Sequence, residues 1–330
     1  MTGKKIVQVL CVAASITVLV WLLHRIGWTT IATAVTRVGW LGAAALILLA
    51  FSETSLDGAA LWTVMGGPLR LGMAIAVNAA GSVLNLVLPW ESGEVLKGGL
   101  LHDQFATGKA ISGTILWNYV FKISRPAVSL SASLMALLLC RDIDSTLLAL
   151  VIAANVMAFL PYVVLRVLVR YGAAEGLLRV LQLIPVVRRH PAHWVELARN
   201  IDAEVKNFGR DRRAAYVRVF CLQVLARLTG WASLYVVFRA MGLGYTFGQA
   251  TLIYATMNVA DYVIAALPAR VGVSEGTAFF VFKLFGLEPA LGLIIYTMLR
   301  ARTILANGVM TPFAFVRWKP VKSAKAVGAS

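Results

Sequence analysis

Charge is what this sequence has least of. Asp, Glu, Lys and Arg together make up 14% of its 330 residues, where a soluble domain carries about 25%. So little charge excludes a soluble enzyme and a disordered chain. Cysteine is equally sparse. Cys11, Cys140 and Cys221 stand apart in apolar stretches with no CxxC spacing, which excludes a disulfide framework and the common zinc patterns. His24, His102, His190 and His193 are too scattered for a histidine-based phosphatase. No HExxH, GxSxG or Walker sequence is present. Asp142-x-Asp144 is a lone DxD in a very short loop. The sequence therefore predicts no cofactor and no metal, and more readily a non-enzyme than an enzyme.

What is abundant is apolar. Hydrophobic residues make up 59% of the chain, and the mean hydropathy is +0.79. At about 20 residues per crossing, the pattern predicts an all-α polytopic membrane protein. Six crossings are expected, at residues 6–23, 40–65, 110–139, 146–168, 214–240 and 289–316. The first follows Lys4 and Lys5 and reads as an uncleaved helix rather than a signal peptide. Residues 28–38 read as a short interfacial stretch.

The net charge of +16 does not point to nucleic acid. About half of it falls on a basic arm, about residues 170–213, and a basic tail, 317–330. By the positive-inside rule both belong with the N-terminus on the cytoplasmic face, the arm lying against anionic lipid. The expected organisation is one integral membrane domain over 1–316. It holds a first repeat at about 40–140, the arm, and a second repeat at about 214–316.

The repeats rest on two matching segments. Each is an apolar helix stopped by Leu-Pro, then three residues, a Gly and a Glu: Leu88-Pro89-x-x-x-Gly93-Glu94 and Leu267-Pro268-x-x-x-Gly272-x-x-Glu275. A short helix follows each, then a long crossing carrying Arg. Pro and Gly break helices, and broken backbone at membrane depth survives only where protein or a wet cavity surrounds it. Both segments therefore read as re-entrant hairpins with tips at Pro89 and Gly93, and at Pro268 and Gly272. One enters from each side, which makes an inverted repeat. Charge asymmetry does not separate this arrangement from full crossings.

Charges placed in such segments cost about 2.5–3.5 kcal/mol each at a helix centre, so they must face an interior. Glu53 and Asp57 lie one helical turn apart. They read either as coupling acids for a proton or cation, or as counter-ions for Arg on neighbouring helices. Arg125, Arg227 and Arg300 could clasp a lipid phosphate or hold the bundle together by ion pairs. The helix starts after each proline attract anions, with Ser92 and Ser274 as expected N-caps. There Glu94 with Lys97, and Glu275 with Arg270, could line a polar substrate path, with Asn78, Asn85, Asn258 and Asp261 just upstream. They could equally be ordinary first-turn acids. A lipid translocase, a membrane enzyme using Glu94 or Glu275 as acid/base, and a scaffold recruiting lipid-biosynthetic enzymes all fit these residues. The expected partner is a membrane lipid with a polar or anionic headgroup; oligomeric state is left open.

The two tip motifs, with Lys97, Gly276, Gly286 and Arg300, resemble the flippase-like membrane region of lysylphosphatidylglycerol synthases over nearly the whole chain. Within that family the chain resembles the stand-alone, hopanoid-biosynthesis-associated HpnL subgroup. It departs from the family's usual glycine-rich stretch where Arg270 and Val271 stand. The synthases continue into a soluble aminoacyl-transfer domain; here the chain ends at Ser330, so the resemblance implies lipid movement without lipid synthesis. It also implies a bacterial cytoplasmic membrane. Carried over residue by residue, it marks Pro89, Gly93, Glu94, Lys97, Pro268, Gly272, Glu275 and Arg300.

Overall fold

The computed structural model describes residues 28–87, 92–102, 104–139, 145–160, 162–163, 195, 199, 203, 213–264 and 273–316. These form helices joined by short turns, with no strand among the described residues. The helices are α1 (Trp28–Met65), α2 (Leu71–Val87), α3 (Ser92–Leu101), α4 (Thr107–Leu139), α5 (Ser145–Met157), α6 (Arg213–Ala240), α7 (Phe247–Ile264), α8 (Val273–Leu284) and α9 (Pro289–Ala314). The expected crossing at 6–23, the basic arm apart from three isolated helical residues, Asp142-x-Asp144 and the tail lie outside the described residues.

Among the described residues four segments are long and apolar enough to cross a membrane: Thr36–Met65, Thr107–Leu139, Arg213–Ala240 and Pro289–Ala314. They coincide with four of the six expected crossings, and α5 forms the start of a fifth. Large apolar side chains lie bare on the outside, among them Leu41, Leu138 and Phe280. So much exposed apolar surface suits lipid rather than water. The chain is a polytopic membrane protein.

Trp28–Met65 is two helices meeting at Gly39, whose φ of 72° and ψ of 164° are open to a residue without Cβ. This separates the expected interfacial stretch from the crossing. In α4 the helix continues through Pro126.

The hairpins form as the sequence predicts. The α2–α3 and α7–α8 pairs each pack against one another. With ten and twelve residues, α3 and α8 reach only about 15–18 Å, about half the hydrocarbon core. Neither is long enough to cross a bilayer by itself. The first fold-back is closed by two glycines: a Cβ on Gly93 would stand 1.9 Å from the Gly81 carbonyl oxygen.

The packing is reciprocal. Helix α2 packs on α9 and α7 on α4; α1 packs on α9 and α6 on α4. The neighbour pairs α1–α2, α2–α3 and α3–α4 match α6–α7, α7–α8 and α8–α9. At the centre α1 packs on α6. Asp57 meets Arg227 there, while a Cβ on Gly42 would approach the Ala240 Cβ to 3.1 Å. As α1 advances α6 retreats, so the two run antiparallel. A two-fold that exchanges antiparallel helices lies across them, which is the geometry an inverted repeat requires.

Two apolar clusters form the core. One gathers Leu61, Met65, Val77, Leu101 and Trp117; the other gathers Leu234, Phe238, Tyr254, Phe282 and Ile295. Each long helix enters both. Helix α1 gives Leu46 to one and Leu61 to the other; α4 gives Val128 and Leu116; α6 gives Leu234 and Val219; α9 gives Ile295 and Ala314. Glu53, Asp57, Lys122, Arg125, Arg227, Arg300 and Arg302 of those helices fall between the clusters, in a belt at mid-length.

Candidate functional site

The belt is built where helix register brings distant charges together. Glu53 and Asp57, one turn apart on α1, point at the same neighbour. Arg227 of α6 pairs with Asp57 and lies 3.8 Å from Glu53. Arg302 of α9 pairs with Glu53 at 3.2 Å. Both acids of α1 thus stand in ion-pair contact with arginines of the second half. Arg227 also faces the Phe121 ring at 4.8 Å, and the Tyr254 hydroxyl donates to its carbonyl at 2.9 Å. Arg125 of α4 donates through Nε to Asn258 of α7 at 3.1 Å.

Neutral groups fix the register around these pairs. Gln223 of α6 donates to the Trp117 carbonyl at 3.1 Å. Thr54 of α1 donates to Asn307 of α9 at 3.2 Å. With little hydrophobic drive between helices in lipid, such cross-helix bonds help select one packing.

The first hairpin forms the belt's second group. Lys97 is 1% exposed. Its ammonium bonds Glu94 at 2.9 Å and sits 3.5 Å from the centroid of the Trp117 ring. Asn85 of α2 donates to Glu94 at 3.5 Å, and its Oδ1 accepts from the Gly93 amide at 2.7 Å. This corrects the expected cap. The Ser92 hydroxyl is buried with no hydrogen-bond partner, and the orphan amide of α3 is met from the preceding helix instead.

Two cavities open beside the belt. The first, about 290 Å³, lies toward the second half and is lined by Arg125, Arg227, Tyr254, Asn258, Tyr296, Arg300 and Arg302 among others. The second, about 220 Å³, lies toward the first half and is lined by Asp57, Asn78, Asn85, Glu94, Lys97, Trp117 and Lys122 among others. Glu53, Arg125, Arg227 and Thr303 line both. The cavities therefore meet at the ion pairs.

Of the residues singled out by sequence, Glu53, Asp57, Glu94, Lys97, Arg125, Arg227 and Arg300 are brought to these cavities. Gly93 closes the first hairpin. Pro89, Pro268, Arg270 and Gly272 lie outside the described residues. For Asp261 and Glu275 only the backbone is described: the last turn of α7 and the first turn of α8. Sequence reasoning missed Trp117, Thr303 and the part played by Arg302 as the partner of Glu53. No signal in the local pattern marks Trp117, because a tryptophan in an apolar run looks like any lipid-facing one.

A family model described as the lysylphosphatidylglycerol synthase TM region matches residues 7–309. No curated protein and no solved structure matches the chain.

Proposed function

The chain belongs to the family of lysylphosphatidylglycerol synthase membrane regions, and from that premise we propose that it is a lipid translocase. It moves a lipid or isoprenoid lipid between the leaflets of a bacterial cytoplasmic membrane, with both termini on the cytoplasmic face. The observation that carries this reading is the pair of cavities flanking one mid-length charged belt and sharing Glu53, Arg125, Arg227 and Thr303 as a common wall. A headgroup needs a polar route through the bilayer while its tails stay in lipid. Two abutting polar cavities, one associated with each half, supply such a route if the shared wall rearranges between them. The reciprocal packing supports reading the halves as inverted repeats, for which opening to one side and then the other is equivalent motion.

In this reading Glu94 with Lys97 holds the polar group on the first side. Glu275, third residue of α8 as Glu94 is of α3, does so on the second, with Asp261 and Arg270. The chain has no nucleotide-binding motif, so movement is passive or gradient-driven.

Reconstitution in liposomes tests the proposal. Labelled lipids of several classes, a hopanoid among them, are placed in one leaflet and their exchange is followed by chemical quenching. Faster exchange of at least one class, slowed by Glu94→Gln and Arg300→Ala with folding intact, is the expected result. No acceleration for any class overturns it. Chemical conversion of the lipid by purified protein would make the chain an enzyme instead.

A further inference from the structure

The buried polar atoms that lack partners are not distributed at random between the two cavities. On the cavity toward the first half they include acceptors of three residues: Asp57 Oδ1, Asn78 Oδ1 and Glu94 Oε2. On the cavity toward the second half they are donors. Arg302 Nε and Nη1, and Nε of Arg227 on the wall that the two cavities share, have no hydrogen-bond partner, on side chains only 7% and 9% exposed. Among the described residues four guanidinium groups line this second-half cavity, Arg125, Arg227, Arg300 and Arg302, with the carboxylate of Glu53 beside them. A buried cation with unmet donors is costly, and an acceptor-only group of two or three oxygens is what would satisfy it.

We propose that the second-half cavity binds a phosphate group, and that Glu53 is its displaceable internal counter-ion. Guanidinium forks match phosphate oxygens in both charge and geometry. Glu53 is poised to yield. Its carboxylate is 22% exposed, it lines both cavities, and it reaches Arg302 at 3.2 Å and Arg227 only at 3.8 Å. If it swings away, Arg227 keeps Asp57 as its partner and Arg302 takes the incoming oxygens. The exchange swaps one anion for another, so no guanidinium is left bare.

This inference deepens the translocase reading but can fail separately from it. The full chain, purified in maltoside detergent free of phosphate, is titrated by calorimetry with inorganic phosphate and, in a second arm, with short-chain phosphatidic acid. A neutral glycolipid of equal chain length is the control. Saturable binding of either phosphate-bearing probe, without binding of the glycolipid, is expected. Binding of phosphatidic acid well above that of inorganic phosphate identifies a lipid headgroup as the occupant; equal binding identifies a free anion.

Two variants decide the mechanism. Arg302→Gln should weaken binding at least about tenfold, the scale of one hydrogen bond to a charged group. Glu53→Gln should strengthen it several-fold, a gain that misfolding cannot produce. Arg302→Lys, keeping the charge but not the fork, should fall between wild type and Arg302→Gln. No binding of either phosphate probe, equal binding of the glycolipid, or no gain in Glu53→Gln overturns the proposal. Phosphate binding without leaflet exchange would remove the translocase and leave this site; exchange without phosphate binding would do the reverse.

Discussion

The ammonium of Lys97 lies 3.5 Å from the centroid of the Trp117 ring. The same indole donates through Nε1 to the carbonyl of Asp57 at 3.0 Å. One tryptophan therefore covers the charge of the first hairpin and ties α4 to the acid-bearing turn of α1. Trp117→Phe keeps a ring face and removes one hydrogen bond, at an expected cost of about 1 kcal/mol. Trp117→Leu also removes the cation–π contact, worth about 2 kcal/mol when desolvated. Thermal unfolding in nanodiscs should rank the two variants in that order; equal loss would show that the ring face contributes nothing.

Asp57 and Arg227 form the central pair of the antiparallel α1–α6 contact. Removing one partner of a buried pair costs about 3–5 kcal/mol because the other charge is left alone. Asp57→Leu and Arg227→Met should each destabilise by that order. The double variant should recover much of the loss, because it buries no charge without its partner. A double-mutant cycle on unfolding checks this, and additive losses would deny the coupling.

The start of α3 offers a paired test of two neighbours with opposite expectations. Asn85→Ala removes the acceptor of the Gly93 amide and should cost about 1 kcal/mol, as lost caps do. Ser92→Ala removes a buried hydroxyl that has no partner and should be neutral or slightly stabilising. A larger loss from Ser92→Ala than from Asn85→Ala would return the cap to Ser92.

The closeness of α2 and α3 makes Gly93→Ala severe. The added Cβ would meet the Gly81 carbonyl oxygen at 1.9 Å and Asn85 Oδ1 at 2.7 Å. Backbone cannot yield as a flexible side chain does, so the hairpin must splay, at a cost at or above the usual 1–3 kcal/mol for overpacking. Gly99→Ala is the control on the same helix, since nothing lies within 4 Å of its added Cβ. Comparable yields of folded protein from the two variants would contradict the close crossing.

Crossings were legible in the sequence because hydropathy is a local, additive property. Four of them appear where the apolar runs place them. The hairpins were legible because proline and glycine punctuate a helix whatever its surroundings. Pairing was not legible. That Asp57 meets Arg227, and Glu53 meets Arg302, depends on the antiparallel register of α1 against α6 and on the seat of α9, neither of which is written within any one segment. The spacing of Glu53 and Asp57 shows that they share a face, and the neighbouring helices determine which arginines they meet. The cap at α3 went astray for a similar reason. Ser92 is well placed by sequence, but Asn85 reaches the amide across the fold-back. Trp117 shows the limit most plainly, since its role is defined by what lies above its ring.

Asp57 and Arg227 stand 170 positions apart in the chain. At ribosomal rates of roughly 5–20 residues per second, the acid emerges about 10–30 s before its cation exists. During that interval α1 carries two carboxylates with no arginine of the second half to receive them. Membrane insertion of the first half must therefore proceed with those acids protonated, hydrated or held by the insertion machinery. Synthesis order, and not only the finished bundle, places a demand on where these charges stand.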